Sequence, residues 1–134
     1  MESQLSMELQ LKRGPTMFSA VHHISLNCAD ADRDREFYVS VLGFEEMPRP
    51  DLGFKGAWLR IGAPELHLLE VPAFEAPKGQ HFAFQVADID AARTHLMAAG
   101  VKVSEPREMT GICRQCFFND PSGNLLELNQ PIAQ

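Results

Sequence analysis

From Val21 to Cys28 apolar and polar side chains alternate with the period of two that a half-buried strand requires. The period then lengthens. Phe37, Tyr38, Val41 and Leu42 form one apolar stripe at helical spacing, Asp30 or Asp32 can cap it, and Gly43 offers a left-handed stop. This predicts a helix over roughly 32–42. Short strands fit around 44–49, 54–61 and 65–71, separated by turn residues at Pro50–Gly53 and Gly62–Pro64. Pro72 to Gly79 carries two prolines and a glycine and reads as a linker. The same order then recurs: a strand at 80–86, a helix at about 89–99 closed by Gly100, and strands near 101–105, 112–119 and 124–130. Asp120-Pro-Ser-Gly123 reads as a turn by composition.

The recurrence is visible residue by residue. His23-Ile-Ser-Leu-Asn-Cys-Ala29-Asp30-Ala-Asp32 aligns without a gap on His81-Phe-Ala-Phe-Gln-Val-Ala87-Asp88-Ile-Asp90, and Leu66-His67-Leu68 aligns on Leu126-Glu127-Leu128. An internal repeat fixes architecture before any single motif does. Each copy is a β-α-β-β-β unit, too small to bury both faces of its sheet alone. The expected fold is therefore α+β, with two βαβββ modules giving a curved eight-stranded mixed sheet and helices on its outer face. It occupies 17–131 as one domain: module one at 18–71, the linker at 72–79 and module two at 80–130.

The repeat also superimposes metal-ligand chemistry. His23 and His81 share a position on the first strand of each copy, and His67 and Glu127 share one on the last. Imidazole and carboxylate are side chains that hold divalent ions. A pseudo-twofold would gather the four on the concave face. Glu127 carries weight because a carboxylate inside an apolar strand needs a cation or another partner. Glu65 lies on the same face as His67 and could take its place. His22 has the opposite strand parity to His23, and His95 sits mid-helix, so both read as structural.

The remaining features narrow the setting. A chain of 134 residues with 45% hydrophobic and 22% charged residues suits one globular unit. A net charge of −6 argues against a nucleic-acid or anionic-membrane surface. No apolar run approaches a membrane span. Three cysteines without a secretory signal point to a reducing compartment and a cytoplasmic location. Cys113-Arg-Gln-Cys116 has CxxC spacing, but in a strand those two residues point to opposite faces, so no redox or zinc role is expected. Residues 1–16 read as a poorly ordered leader.

His23-Ile-x-Leu-x(3)-Asp30, Phe37-Tyr38-x(3)-Leu42-Gly43-Phe44, His81-x-Ala-Phe-x-Val and Asp120-Pro-x-Gly-Asn-x-x-Glu127 together resemble the vicinal oxygen chelate superfamily. That group includes glyoxalase I, extradiol dioxygenases, fosfomycin-resistance transferases and bleomycin-binding proteins. The resemblance implies paired βαβββ modules, usually in a homodimer, with a divalent ion held by His23, His81 and Glu127 and with His67 at the fourth position. An open cup also leaves edges that a symmetric dimer would cover. Whether a site lies within one chain or across two stays open.

Within the superfamily the pattern departs from each named branch. Asn27, His67 and Val71 stand where glyoxalase I has its glutathione-holding Arg, its metal-binding Glu and an Asn. Phe117 replaces the acid–base Tyr of extradiol dioxygenases, and Tyr38 is the only tyrosine, unlike the Tyr-containing cluster of fosfomycin transferases. The expected function is a divalent-metal-dependent, glyoxalase-like enzyme acting on a small oxygenated substrate by Lewis-acid-assisted isomerisation or lyase chemistry. Zn, Ni, Co, Mn or Fe would serve, with Glu127 as the acid–base group. A dioxygenase or thiol-transferase, or a protein that sequesters a drug or metabolite, are the alternatives. Arg49, Trp58 and Arg114 are the candidate substrate contacts, the arginines for an anionic group.

Overall fold

The computed structural model describes residues 3–4 and 16–133. The expected leader over 1–16 therefore falls almost wholly outside the described residues. Module one consists of β1 (His23–Cys28), α1 (Ala31–Glu36) continued by a π-helical stretch (Phe37–Val41), β2 (Glu45–Met47), β3 (Gly56–Arg60) and β4 (Glu65–Glu70). Module two consists of β5 (His81–Gln85), α2 (Ile89–Ala98), β6 (Arg107–Met109), β7 (Cys113–Asn119) and β8 (Leu125–Pro131). The eight strands divide into two four-stranded sheets, ordered β1-β4-β3-β2 and β5-β8-β7-β6. In each sheet the first and last strands of the module pair in parallel, and the other pairs are antiparallel. The α+β class and the βαβββ repeat are as the sequence predicts, and the first strand of each module stands at a sheet edge.

The two helices start by the same device. The Asp30 carboxylate accepts from the Arg33 amide and the Asp88 carboxylate from the Ala91 amide, each at 3.1 Å. Either satisfies one of the donors a helix N-terminus leaves open. The first helix then widens. Leu42 N donates to Phe37 O at 3.2 Å, five residues back, and Phe44 N donates to Tyr38 O at 3.0 Å around Gly43 at φ +77. The widened turn carries Tyr38 into full burial.

Strand alternation separates two environments. Leu66 and Leu68 on β4, and Leu126 and Leu128 on β8, are buried against the helices with Ile89 and Phe118. His67 and Glu127, one residue out of phase, point to the opposite face.

One predicted strand is displaced. The 101–105 segment forms no ladder, and the strand lies at Arg107–Met109 instead. Val101 and Val103 do pack on the core, which produces the misleading alternation. The backbone of this segment is satisfied by other means. Arg93 donates to the Ser104 and Val103 carbonyls, and Ser104 exchanges hydrogen bonds with Phe117 on β7. Pro106 then removes a donor before the ladder resumes.

The modules are joined by the Asp120-Pro-Ser-Gly123 turn. Asp120 is 4% exposed and accepts from the Ser122 and Asn124 amides, from Asn124 Nδ2 and from the Tyr38 hydroxyl at 2.7 Å. Asn124 Nδ2 also donates to Asn27 O at 2.9 Å. Ser122 Oγ donates to the buried Asp34 carboxylate and accepts from the Ala29 amide and Arg33 Nη2. Burial raises the Asp34 carboxyl above its ordinary range, against the lowering effect of Ser122 and Arg33.

A raised carboxyl means that the folded state binds the proton more tightly than the unfolded chain does. Asp34 therefore favours folding at low pH, and that contribution is lost as pH rises through the folded value. Asp34→Asn removes this dependence. The melting temperature of the variant relative to the native chain should rise between about pH 4 and about pH 7. A difference that stays flat or falls over that interval contradicts the assignment.

Candidate metal centre

On module one the face away from the helices carries a column of rings. Trp58 on β3 and Ser25 on β1 are both register partners of His67 on β4. His67 lies between the indole of Trp58 (centroids 4.6 Å apart, 15° between planes) and the imidazole of His23 (4.1 Å, 16°). His67 Nε2 donates to Glu65 Oε1 at 3.0 Å. That hydrogen bond chiefly holds the Glu65 carboxyl below its ordinary range. His22 Nδ1 and His23 Nδ1 stand 2.9 Å apart, and His22 Nε2 is 3.9 Å from the second oxygen of Glu65. His22 precedes β1, so strand parity does not exclude it from this group.

Module two repeats the arrangement with a different fourth residue. His81 Nδ1 donates to the Gly79 carbonyl at 2.9 Å, and His81 Nε2 lies 3.1 Å from Glu127 Oε1. The other Glu127 oxygen accepts from Asn129 Nδ2 at 2.8 Å. Phe117, the register partner of Glu127, meets the His81 ring edge-on at 5.4 Å. The carboxylate is 6% exposed.

The His81 geometry tests whether a metal fits. A carbonyl can only accept, so Nδ1 carries a proton. In a neutral ring the Nε2 lone pair then faces a carboxylate, and two acceptors at 3.1 Å repel. A proton on Nε2 resolves this, and so does a cation bound to both atoms. A backbone carbonyl fixing the far nitrogen is also how metal-bound histidines are oriented. The donor set, imidazole and carboxylate, fits a divalent ion.

The four candidates do not converge as the repeat suggests. Among the described residues no three His, Cys, Asp or Glu side chains come together to hold a metal. His23 with His67 and His81 with Glu127 remain two separate pairs, one on each sheet. The physical reason is the division into two sheets, with β1 and β5 unpaired to each other.

The other candidates separate by strand parity. Trp58 stands on the ring-bearing face. Arg49 lies beside the start of this strand, since a Cβ on Gly56, two residues before Trp58 on β3, would meet the Leu68 carbonyl first and then Arg49 Nη2 at 2.9 Å. Arg114 is on the opposite face of β7, in phase with Cys116 and Phe118. It grips Asp90 of α2 through two hydrogen bonds of 2.8 and 3.2 Å, which hold Asp90 below its ordinary range. The helix layer thus holds the guanidinium in this structure. Cys113 and Cys116 are unpaired and buried, and burial raises the Cys116 thiol, while that of Cys28 is pushed up to about 12. Thiols so raised are poor nucleophiles. His95 donates from Nε2 to Val41 O at 2.7 Å, a structural bond at the end of the first helix. A cavity of about 680 Å³ between the modules is lined by apolar groups such as Ile24, Phe44, Phe82 and Phe84, and by none of the metal candidates.

A family model described as the Glyoxalase/Bleomycin resistance protein/Dioxygenase superfamily matches residues 20–128. The chain belongs to that superfamily. It is 34% identical over 125 residues to Glyoxylase I 4 of Arabidopsis thaliana, covering 85% of this chain and 72% of that protein. The FosX fosfomycin resistance protein of Listeria monocytogenes, crystallised with Mn(II) and a dihydroxypropylphosphonic acid, superposes with a TM-score of 0.76. It is 23% identical, with 87% of this chain and 95% of that one covered. TnmS3, an antibiotic binding protein from Streptomyces sp. CB03234, superposes with a TM-score of 0.73 at 27% identity, covering 88% of this chain and 100% of that one. Fold relatives thus include metal-bound and antibiotic-binding proteins. Among the described residues no helix is long and apolar enough to cross a membrane.

Trp58 is the single tryptophan, so fluorescence reports this face directly. His67→Ala removes the ring stacked on the indole and admits water. A red shift in emission, with little change in far-ultraviolet circular dichroism, is expected. An unshifted spectrum would show that the stack does not persist in solution.

Proposed function

We propose that this chain is a divalent-metal-dependent, glyoxalase-like enzyme acting on a small oxygenated molecule in a reducing, cytoplasmic setting. In this reading two copies assemble. The pair His23 and His67 of one copy meets His81 and Glu127 of the other, with Glu65 able to replace His67 as a donor. The observation that carries the reading is His81, whose proton is committed to Gly79 O while Nε2 faces the Glu127 carboxylate. Support also comes from the pairing itself. Each module supplies half of a four-donor set from a sheet whose first strand is an unpaired edge, and a twofold dimer covers two such edges at once.

His23, His67, His81 and Glu127 would hold the ion, and it would supply Lewis acidity toward the oxygenated substrate. The chain's residues account for the rest. Once released from the ion, Glu127 Oε1 would take and return a substrate proton, with Asn129 holding Oε2 at 2.8 Å. The ring column of Trp58, His67 and His23 forms one wall, and Phe117 forms another beside His81. Both keep water from the reacting carbon. Glu65 can accept or return the His67 proton across 3.0 Å. Isomerisation or lyase chemistry needs no more than this proton traffic. A sequestering role is the second reading, favoured by the stacked rings, which would grip a flat ligand, and by the likeness to TnmS3.

Metal analysis of protein purified without chelator separates the two. One ion of Zn, Ni, Co, Mn or Fe per chain is expected, with His23→Ala, His81→Ala and Glu127→Ala each losing most of it and His95→Ala retaining it. Mixing the His23→Ala and His81→Ala chains under exchanging conditions should restore binding, because a mixed dimer contains one complete set. No restoration, or a scattering mass near 15.0 kDa with metal present, would exclude a site shared between chains. Metal-free protein that takes up none of these ions would favour sequestration.

A further inference from the structure

We infer that the substrate is an acid, whose oxyanion is seated by Arg49 on the same face as the Trp58–His67 column. This rests on the reading of that face as the substrate face and adds the chemical class of the molecule.

Arg33, Arg35, Arg60, Arg93 and Arg114 each pair with a carboxylate. Arg49 and Arg107 pair with none among the described residues, and of the two Arg49 has a buried Nε. Its Nη2 donates to the Phe54 carbonyl at 3.2 Å, and its Cζ lies 4.9 Å from the centre of the Phe54 ring. Its Nε is buried with no hydrogen-bond partner. The guanidinium remains charged at any working pH, so a positive charge is held here without a counter-ion from the described chain. Leaving such a group half-desolvated is unfavourable, and an incoming anion would relieve it.

The seat is constructed. Gly56 borders it, and a Cβ there would collide first with the Leu68 carbonyl of β4 and then stand 2.9 Å from Nη2 and 3.0 Å from Cζ, so the bare glycine backbone lets the guanidinium lie against the strand. The Phe54 ring forms the opposite wall, and the Phe54 carbonyl fixes the rotation of the fork. Gly56 and Trp58 are two residues apart on β3, about 7 Å along the strand. Trp58 stacks on His67. A molecule presenting two neighbouring oxygens at the histidines could therefore place an acidic group on Arg49 at the far end of a short carbon skeleton. The planar fork suits carboxylate, phosphonate and phosphate oxygens alike.

Quenching of Trp58 tests this on the full chain, with and without added Mn(II). The probes are 4-nitrobenzoate, 4-nitrophenylphosphonate and the neutral 4-nitrobenzamide. At least one anion should quench saturably and bind about tenfold or more tightly than the amide, a difference of about 1.4 kcal/mol. The tighter of the two anions names the acid. Arg49→Gln should abolish the preference and leave amide binding unchanged, Arg49→Lys should keep part of it, and Arg114→Gln should keep all of it. Equal binding of the three probes by the native chain overturns the inference without recourse to any variant. An anion preference that survives in Arg49→Gln also overturns it. Because quenching is read with and without Mn(II), failure to bind metal defeats the proposed function while leaving the anion seat independently decided.

Discussion

The fold depends on one buried carboxylate. Asp120 closes its own turn through two amides and, from the same side chain, holds Tyr38 of the other module. Neither module covers its helix-facing side alone, so their contact is the step that makes a core. A hydroxyl and an amide side chain converging on a charged acceptor make stronger hydrogen bonds than neutral pairs would. Removing one partner would leave a charge in a dry environment, where the loss is largest. Tyr38 makes this bond from within the π-helical stretch, so the widened turn and the contact between modules share one residue.

The same economy of positions shapes the candidate site. Period-two alternation leaves His67 and Glu127 on the face opposite the leucines beside them, so core packing and site geometry are set by neighbouring residues on one strand. Gly79, at the end of the linker, fixes the His81 ring before any ligand arrives. Preorganisation of this kind means that little side-chain entropy remains to be lost on binding. Module one is prepared differently. There the rings are ordered by stacking, and Glu65 holds the His67 Nε2 proton. The halves are chemically unequal although the repeat makes them positionally equal, one offering imidazoles and the other an imidazole beside a carboxylate.

Much of this was legible in the sequence, because strands, caps and repeat phase are local properties. Asp30, one of two cap candidates, starts the first helix, and the equivalence of His67 with Glu127 follows from two short alignments. What failed was non-local. Val101 and Val103 alternate like a strand, but Arg93 satisfies their neighbourhood from α2. The ion pair of Arg114 with Asp90, 24 residues away, is likewise absent from any local pattern. His22 was set aside by parity, which has no force one residue before a strand begins. Convergence of four ligands was inferred from symmetry, yet symmetry relates positions without fixing which copies of them meet. The inter-module role of Ser122 carried no signal beyond turn composition, and Asn124 stood out only as part of the Asp120–Glu127 motif.

Charge balance bears on which molecules this face would admit. The chain carries a net charge of −6, so an anionic molecule approaching from a distance meets repulsion. At physiological ionic strength that field fades over about 8 Å, and only charges near the binding face decide occupancy. Near the metal candidates the fixed charge of the described groups comes from Glu65 and Glu127, and a divalent ion would outweigh either carboxylate locally. Arg49 adds a second positive charge on the same face, unneutralised by any described carboxylate. A neutral substrate would leave that guanidinium without a counter-ion in a partly dry seat. An acid gives it one, and Gly56 beside the guanidinium presents no side chain to compete for the place.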